Sequence, residues 1–174
     1  TLMSKILIID DEKDICFLIS EILVDEKYIT DYATNSDTAL DKFAKFKPDL
    51  IILDVWLGNS DLDGIELLKK FKELNPLIPI IIISGHGTVD MAVNAIKSGA
   101  YDFIEKPFNS EKIIILSKRA IESAKLLKEN NKLRSITNKQ ITLLGNSDFI
   151  KKLNKEIIKI ANSNSRVFMS GIVG

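Results

Sequence analysis

The stretches at residues 6–12 (ILIIDDE) and 49–56 (DLIILDVW) decide the fold of this chain. In each, a short run of branched apolar residues leads directly into aspartate: Asp10 and Asp11 after the first run, and Asp54 within the second. An apolar run without alternation is typical of a strand that is covered on both faces, as in a parallel sheet. The two stretches therefore predict buried strands with acidic residues at their carboxyl ends.

The surrounding sequence alternates in the same way. Strands are predicted at residues 6–9, 28–32, 50–55, 80–83 and 101–105. Apolar residues at helical spacing predict helices at residues 15–23, 38–46, 65–71 and 88–98, and a last helix with Ser110 as its N-cap. Strands alternating with helices predict an α/β fold, a doubly wound parallel sheet with helices on both faces and right-handed crossovers.

Polar residues stand at the carboxyl ends of these predicted strands. Besides the three aspartates, Ser84 ends the fourth strand and Lys106 follows the fifth. Sites in such sheets form beyond the carboxyl ends of the strands, where the strand order reverses. Clustered carboxylates repel one another and suit Mg²⁺, which prefers oxygen ligands. One carboxylate could then attack phosphorus, while a lysine and a hydroxyl bind the phosphoryl oxygens.

Residues 5–123 resemble the receiver domain of two-component response regulators, which has a flavodoxin-like (βα)₅ fold. The resemblance rests on ILIIDDE, DLIILDVW, Asp63-Gly64, IIIISGHG and AIKSGAYDFIEKPF, in that order. It is closest to the NtrC and NtrX branch, whose members activate the enhancer-dependent sigma factor through an AAA+ domain. A protein of this kind accepts a phosphoryl group and is not an enzyme in the ordinary sense, apart from slow self-dephosphorylation.

The resemblance also implies a role for each matching residue. Asp54 would be the phosphoacceptor, and Mg²⁺ would be bound by Asp10, Asp11, Asp54 and the backbone carbonyl of Trp56. Ser84 and Lys106 would complete the catalytic set, with Lys106 binding the phosphate. Ser84 and Phe103 would be the switch residues. The Lys106–Pro107 peptide bond would be cis.

The sequence departs from the family pattern in two places. The stretch VWLGNSDLDG lacks the usual proline and is about two residues longer than is common, as in NtrX. Phe103 replaces the usual tyrosine, so it could act only by packing. Trp56 and His86 stand two residues beyond Asp54 and Ser84, where the resemblance places side chains beside the phosphoryl group. We expect the indole to hinder attacking water, and His86 to be a loop residue without a catalytic role.

Beyond the receiver the sequence predicts a linker and a further domain. The predicted divisions are a receiver domain at 4–125, a helical linker and connection at 126–144, and the start of an AAA+ ATPase domain at 145–174. Weak heptads that place Asn130 between Leu126 and Leu133 fit either a helical dimer linker or a solvated single helix. An irregular connection is expected at residues 136–145. Gly171 would open a phosphate-binding loop. The lysine that this motif requires does not occur in residues 171–174, so no ATPase activity is expected.

Composition and resemblance together suggest the partners. The chain has 24 basic and 24 acidic residues and no long apolar run, so neither nucleic acid nor a membrane is an expected partner. One cysteine suits a cytoplasmic location. The resemblance implies a sensor histidine kinase as donor and a homodimer through helix 4, strand 5, helix 5 and the linker helix. The alternatives are an aspartyl phosphatase, whose usual second aspartate is replaced by Trp56, and a pseudo-receiver that only binds.

Overall fold

The computed structural model describes residues 3–58, 60–85, 87–140 and 155, with residues 136–140 described by their backbone alone. Strands and helices alternate throughout. The strands are β1 (Lys5–Ile9), β2 (Ile29–Ala33), β3 (Leu50–Asp54), β4 (Ile80–Ser84) and β5 (Asp102–Glu105). The helices are α1 (Lys13–Asp25), α2 (Ser36–Phe46), α3 (Gly64–Leu74), α4 (Val89–Lys97) and α5 (Ser110–Gln140).

The strands form one parallel sheet in the order β2-β1-β3-β4-β5. The chain runs outward from β1 to β2, then returns to the other side of β1 and continues through β3 and β4 to β5. The strand order therefore reverses between β1 and β3, which is where sheets of this kind bind ligands. The predicted fold class is confirmed.

Burial on both faces explains why the central strands do not alternate. Every residue of β3 and β4 is buried. Side chains of α2, α3 and α4 pack with Ile51 and Leu53 on one face of the sheet. Side chains of α1 and α5 pack with Leu50 and Ile52 on the other face. Each apolar side chain that is removed from water in this way contributes about 1.5–3 kcal/mol to the burial free energy.

Local capping decides where helices begin and end. The side chain of Asn35 accepts a hydrogen bond from the backbone N–H of Thr38 at 2.9 Å, so α2 begins two residues earlier than predicted. The side chain of Asn109 accepts one from the N–H of Lys112 at 2.8 Å. Ser110 is thus the first residue of α5, and its prediction as N-cap was wrong.

The chain divides into two compact units, Thr1–Leu127 and Lys128–Gly174, and the boundary falls within α5. The helix continues to Gln140, so the irregular connection expected from residue 136 was wrong for residues 136–140. No glycine or proline stands between Ser110 and Gln140 to interrupt the helix. The expected AAA+ segment at 145–174 lies outside the described residues, apart from Lys155. In the part of the chain that is described, no helix has the length and apolarity to span a bilayer.

Candidate functional site

The register of the sheet explains why the predicted acidic residues meet. Ile9 pairs with Leu53, so Asp10 and Asp54 leave neighbouring strands at the same level. Asp10 and Asp54 are buried, with 2% and 5% exposure, whereas Asp11 is exposed at the rim. One carboxylate oxygen of each aspartate lies within 4.8 Å of the other two. The structure therefore brings all three aspartates into one cluster.

Lys106 enters this cluster from β5. Ser84 pairs with Glu105, and the backbone N–H of Lys106 donates to the carbonyl of Ser84 at 2.8 Å. The Lys106 ammonium donates hydrogen bonds to Oδ2 of Asp10 and to Oδ2 of Asp54, both at 2.8 Å. The peptide bond that follows Lys106 is cis, as the resemblance implied. Lys106 thus bridges the two buried carboxylates.

Burial and neighbouring charges shift the pKa values in the cluster. Burial raises the pKa of the Asp10 carboxyl from 3.8 to about 6; the charge of Asp54 adds to this, and hydrogen bonds from Lys106 and the Glu12 N–H oppose it. For Lys106, burial disfavours the ammonium, but its hydrogen bonds to Asp10 and Asp54 and their charges outweigh burial and raise its pKa. Lys106 therefore remains a cation between two carboxylates.

The donor set of the cluster fits a hard divalent cation. Three carboxylates against one ammonium leave an excess of negative charge, and every side-chain donor is an oxygen. Mg²⁺ favours such ligands and keeps several waters, for which the exposed side of Asp11 leaves room. The backbone of Trp56, the source of the predicted carbonyl ligand, also adjoins the cluster, because its N–H donates to Oδ1 of Asp54 at 3.1 Å.

A glycine allows α3 to begin directly against the end of β3. The N–H of Gly64 donates to the carbonyl of Val55 at 2.9 Å. A side chain at Gly64 would overlap the carbonyl oxygen of Asp54 and would lie 2.6 Å from Cα of Val55. Asp63 caps the helix by accepting a hydrogen bond from the N–H of Glu66 at 2.8 Å. The Asp63-Gly64 pair of the family pattern thus has a steric reason in this chain.

The two predicted switch residues lie on neighbouring strands: Ser84 ends β4, and Phe103, near the start of β5, pairs with Ile82. Ser84 is fully buried. Phe103 is half-buried and packs against the core on the α2–α4 face of the sheet. Its ring also lies against Gly87: a Cβ built on Gly87 would be 2.7 Å from the ring and 4.0 Å from Cβ of Ser84. The loop after β4 therefore lies against the Phe103 ring.

Two anchoring contacts of the long loop between β3 and α3 were missed by sequence reasoning. The N–H of Gly58 donates to Oδ2 of Asp11 at 3.2 Å. The Ser60 hydroxyl accepts a hydrogen bond from the backbone N–H of Ser36, at the start of α2, at 3.0 Å. Both contacts join residues that are distant in sequence, and no local pattern indicates them.

The side chains at the rim of the cluster differ in their contacts. Glu12 is the last residue of the ILIIDDE stretch, and its Oε1 lies 3.6 Å from Nζ of Lys106. The acidic residues of that stretch could have suggested this ion pair. The Trp56 side chain is 61% exposed. His86 lies outside the described residues, so the expectation for it stays a prediction.

Comparison with known proteins places this geometry in context. The response regulator receiver domain model matches residues 6–118. An NtrX-like response regulator from Rickettsia bellii is 49% identical over 169 residues, which cover 97% of this chain and 35% of that protein. The crystal structure of NtrX from Brucella abortus in complex with ADP matches 95% of this chain and 36% of its own, with a TM-score of 0.74 and 42% identity.

A second structural match is limited to the receiver. The beryllofluoride-activated NtrC4 receiver domain dimer matches 70% of this chain and 99% of its own, with a TM-score of 0.66 and 40% identity. The chain spans only 35% and 37% of the lengths of two NtrX-type relatives. The chain therefore corresponds to about a third of each of these proteins.

Proposed function

The chain belongs to the family of response regulator receiver domains, and on that premise we propose that Asp54 is the residue that accepts the phosphoryl group. The receiver is of the type found in NtrX-like and NtrC-like two-component regulators, which are signalling proteins. The strongest support for Asp54 is the position of Lys106, whose ammonium lies 2.8 Å from an oxygen of Asp54 within a cluster of three carboxylates.

The position of Asp54 also distinguishes it from its two acidic neighbours. It ends β3, which lies between β1 and β4, so groups from both sides surround it. Asp10 is held by the N–H of Glu12 at 2.9 Å as well as by Lys106. Asp11 lies at the exposed rim. A phosphoryl group on Asp54 would therefore have the Lys106 ammonium on one side and metal ligands on the other.

The proposed reaction transfers a phosphoryl group from a phosphohistidine of a sensor kinase. An oxygen of Asp54 forms a bond to phosphorus while the P–N bond breaks. The electron pair of that bond returns to the imidazole, which takes a proton from solvent. Lys106 neutralises charge on the phosphoryl oxygens. Mg²⁺, when bound by Asp10, Asp11, Asp54 and the carbonyl of Trp56, would supply further positive charge to these oxygens.

Ser84 and Phe103 would then change position in response to the phosphoryl group on Asp54. Asp54 pairs with Ile83, so the hydroxyl of Ser84 comes next on the neighbouring strand and can donate to a phosphoryl oxygen. A movement of Ser84 toward the phosphate would carry the loop that lies against the Phe103 ring. Because Phe103 has no hydroxyl, packing alone would transmit the change to β5.

The output would be a change in self-association. The face formed by α4, β5 and α5 carries exposed apolar residues on α4: Val89, Val93 and Ile96 are 80%, 45% and 47% exposed. A second copy would cover this area. Leu126 and Leu133, seven positions apart and exposed, offer a second contact along the linker helix. In the full-length protein, located in the cytoplasm, this change would control transcription without nucleic-acid contact from this chain.

Acetyl phosphate with Mg²⁺, read out by intact mass, tests the acceptor residue. We expect the parent chain to gain one phosphoryl group and Asp54→Asn to gain none. Asp41→Asn is the matched control, because Asp41 is an exposed aspartate on α2 that pairs with Lys45; it should label like the parent. Labelling of Asp54→Asn at the parent rate would refute the assignment.

Two further measurements separate the alternative functions. Beryllofluoride with Mg²⁺ should bind the parent stably, whereas a pseudo-receiver would neither bind it nor become labelled. Repeated turnover of a phosphate ester would indicate a phosphatase in place of a single stoichiometric transfer. We expect binding and a single transfer.

A further inference from the structure

Two glycines in the loop between β4 and α4 differ sharply in the space around them. A Cβ built on Gly85 would meet its nearest neighbour, Cδ of Lys106, at 3.8 Å, an ordinary van der Waals distance. A Cβ built on Gly87 would lie 2.7 Å and 2.8 Å from Cζ and Cε1 of Phe103, which is far too close. Among the described glycines only Gly99 has a positive φ, so the backbone would accept alanine at either loop position. The obstacle at residue 87 is the Phe103 ring.

We propose that Gly87 is a positioning residue for the switch: because it has no side chain, the Phe103 ring can lie on the β4–α4 loop and couple that loop to β5. The contact is purely steric, since neither residue brings a polar side-chain group to it. The inference rests on the proposed function, because the coupling matters for signalling only if phosphate on Asp54 draws Ser84 and moves the loop.

An open groove beside Phe103 offers the ring a second position. Phe103 borders an open groove of about 340 Å³ between β5 and α5, which is also lined by Asn109, Lys112, Ile115 and Leu116. A side chain that is blocked in one rotamer moves to another staggered position where space allows. A methyl group at residue 87 would therefore turn the ring off the loop and toward this groove.

NMR of the chain labelled with ¹³C-phenylalanine measures the ring position directly. The Phe103 signal is identified by its loss in Phe103→Leu. We expect Gly87→Ala to shift this ring signal and Gly85→Ala to leave it unchanged. The two substitutions restrict the unfolded chain equally, so Gly85→Ala controls for that effect. An unchanged ring signal in Gly87→Ala would overturn the proposal.

Thermal unfolding gives a second readout through a double-variant cycle. Gly87→Ala should lower Tm by about 2–4 °C when Phe103 is present, and by less than about 1 °C in the Phe103→Leu background, because the two groups share one space. Equal losses in both backgrounds would show that Gly87 acts independently of the ring, and would contradict the proposal.

Beryllofluoride with Mg²⁺ links the contact to the phosphorylated state. We expect it to shift the Phe103 ring signal in the parent chain but not in Gly87→Ala, where the ring has already left the loop. If the parent binds beryllofluoride and its ring signal does not respond, the coupling is refuted while the phosphoacceptor function stands. If the parent binds none, the proposed function fails, and the ring signal and the unfolding cycle still decide the steric role of Gly87.

Discussion

Two half-buried lysines at opposite ends of the sheet have opposite electrostatic environments. Lys106, at the carboxyl edge, donates to Asp10 and Asp54, whose hydrogen bonds and charges overcome the effect of burial and raise its pKa. Lys72, near the end of α3, donates to the carbonyl of Ile78 at 2.8 Å, and burial lowers its pKa. Among the described residues, Lys72 forms no ion pair.

The contrast shows which feature distinguishes a functional lysine from a structural one. Burial disfavours the ammonium in both cases, so burial alone does not mark a site. The stem of Lys72 lies 3.3 Å from the position of a Cβ on Gly99, and its ammonium holds the α3–β4 turn. At Lys106, carboxylates from two strands converge on one cation, and that convergence is what points to phosphoryl chemistry.

The largest expected effect comes from removing the charge of Lys106, with removal of the Lys72 charge as the comparison. Lys106→Met should lower the rate of labelling by acetyl phosphate by about 100-fold, because a positioned cation is lost from the phosphoryl oxygens. It should also cost roughly 3–5 kcal/mol of the unfolding free energy in EDTA, because two buried carboxylates lose the ammonium that neutralises them. Labelling is followed by intact mass and unfolding by urea titration.

Lys72→Met is the matched variant for this experiment. It removes one hydrogen bond to a carbonyl and keeps an apolar stem, so we expect a loss of about 1 kcal/mol in unfolding free energy and unchanged labelling. Similar labelling rates in the two variants would refute the assignment of Lys106 as the functional lysine and Lys72 as the structural one.

A smaller effect is expected from the charge of Asp10, and its sign depends on pH. The folded-state pKa is about 6, against 3.8 for an unperturbed aspartate. Between these values the folded chain holds more protons than the unfolded chain, so this group lowers stability as the pH rises through that window. Above about pH 6 the ionised Asp10 lowers the free energy of unfolding by its full amount, roughly 2–3 kcal/mol. In EDTA at pH 7, Asp10→Asn should therefore be more stable than the parent by that order.

Urea unfolding across the pH range checks this prediction, with Asp41→Asn as an exposed control. The stability gain of Asp10→Asn should disappear toward about pH 4, where Asp10 is protonated in the parent as well. Mg²⁺ should stabilise the parent more than the variant. A variant that is less stable than the parent at pH 7 would mean that the ion pair with Lys106 outweighs the burial of the carboxylate.

The sequence predicted those parts of the molecule that depend on local patterns. Unalternated apolar runs identified β3 and β4, because burial on both faces leaves that signature. Asp10, Asp54 and Lys106 could be grouped in advance because the carboxyl ends of parallel strands share one edge. Their roles as phosphoacceptor, metal ligand and phosphate-binding residue remain predictions that the experiments above address.

Features that depend on competition or on distant contacts were not predicted. Asn109 and Ser110 are both good N-cap residues, and the pattern alone could not choose between them. The bond between Gly58 and Asp11 joins positions 47 residues apart, and its existence depends on the course of a long loop. The environment of Lys72 likewise follows from packing around α3, which no periodicity encodes.

The smallest expected effect concerns shielding of the phosphoryl group from water by the side chain of Trp56. The backbone N–H of Trp56 donates to Oδ1 of Asp54, and Trp56 is 61% exposed. We expect the indole to hinder water that attacks the phosphoryl group, so Trp56→Asn should lose phosphate several-fold faster than the parent. Intact mass, followed over time after acetyl phosphate is removed, gives the rate. Leu74→Asn is the control, because Leu74 is also 61% exposed but lies at the opposite end of α3. Leu74→Asn should lose phosphate at the parent rate. A rate of phosphate loss in Trp56→Asn that is unchanged or slower would refute shielding by the indole.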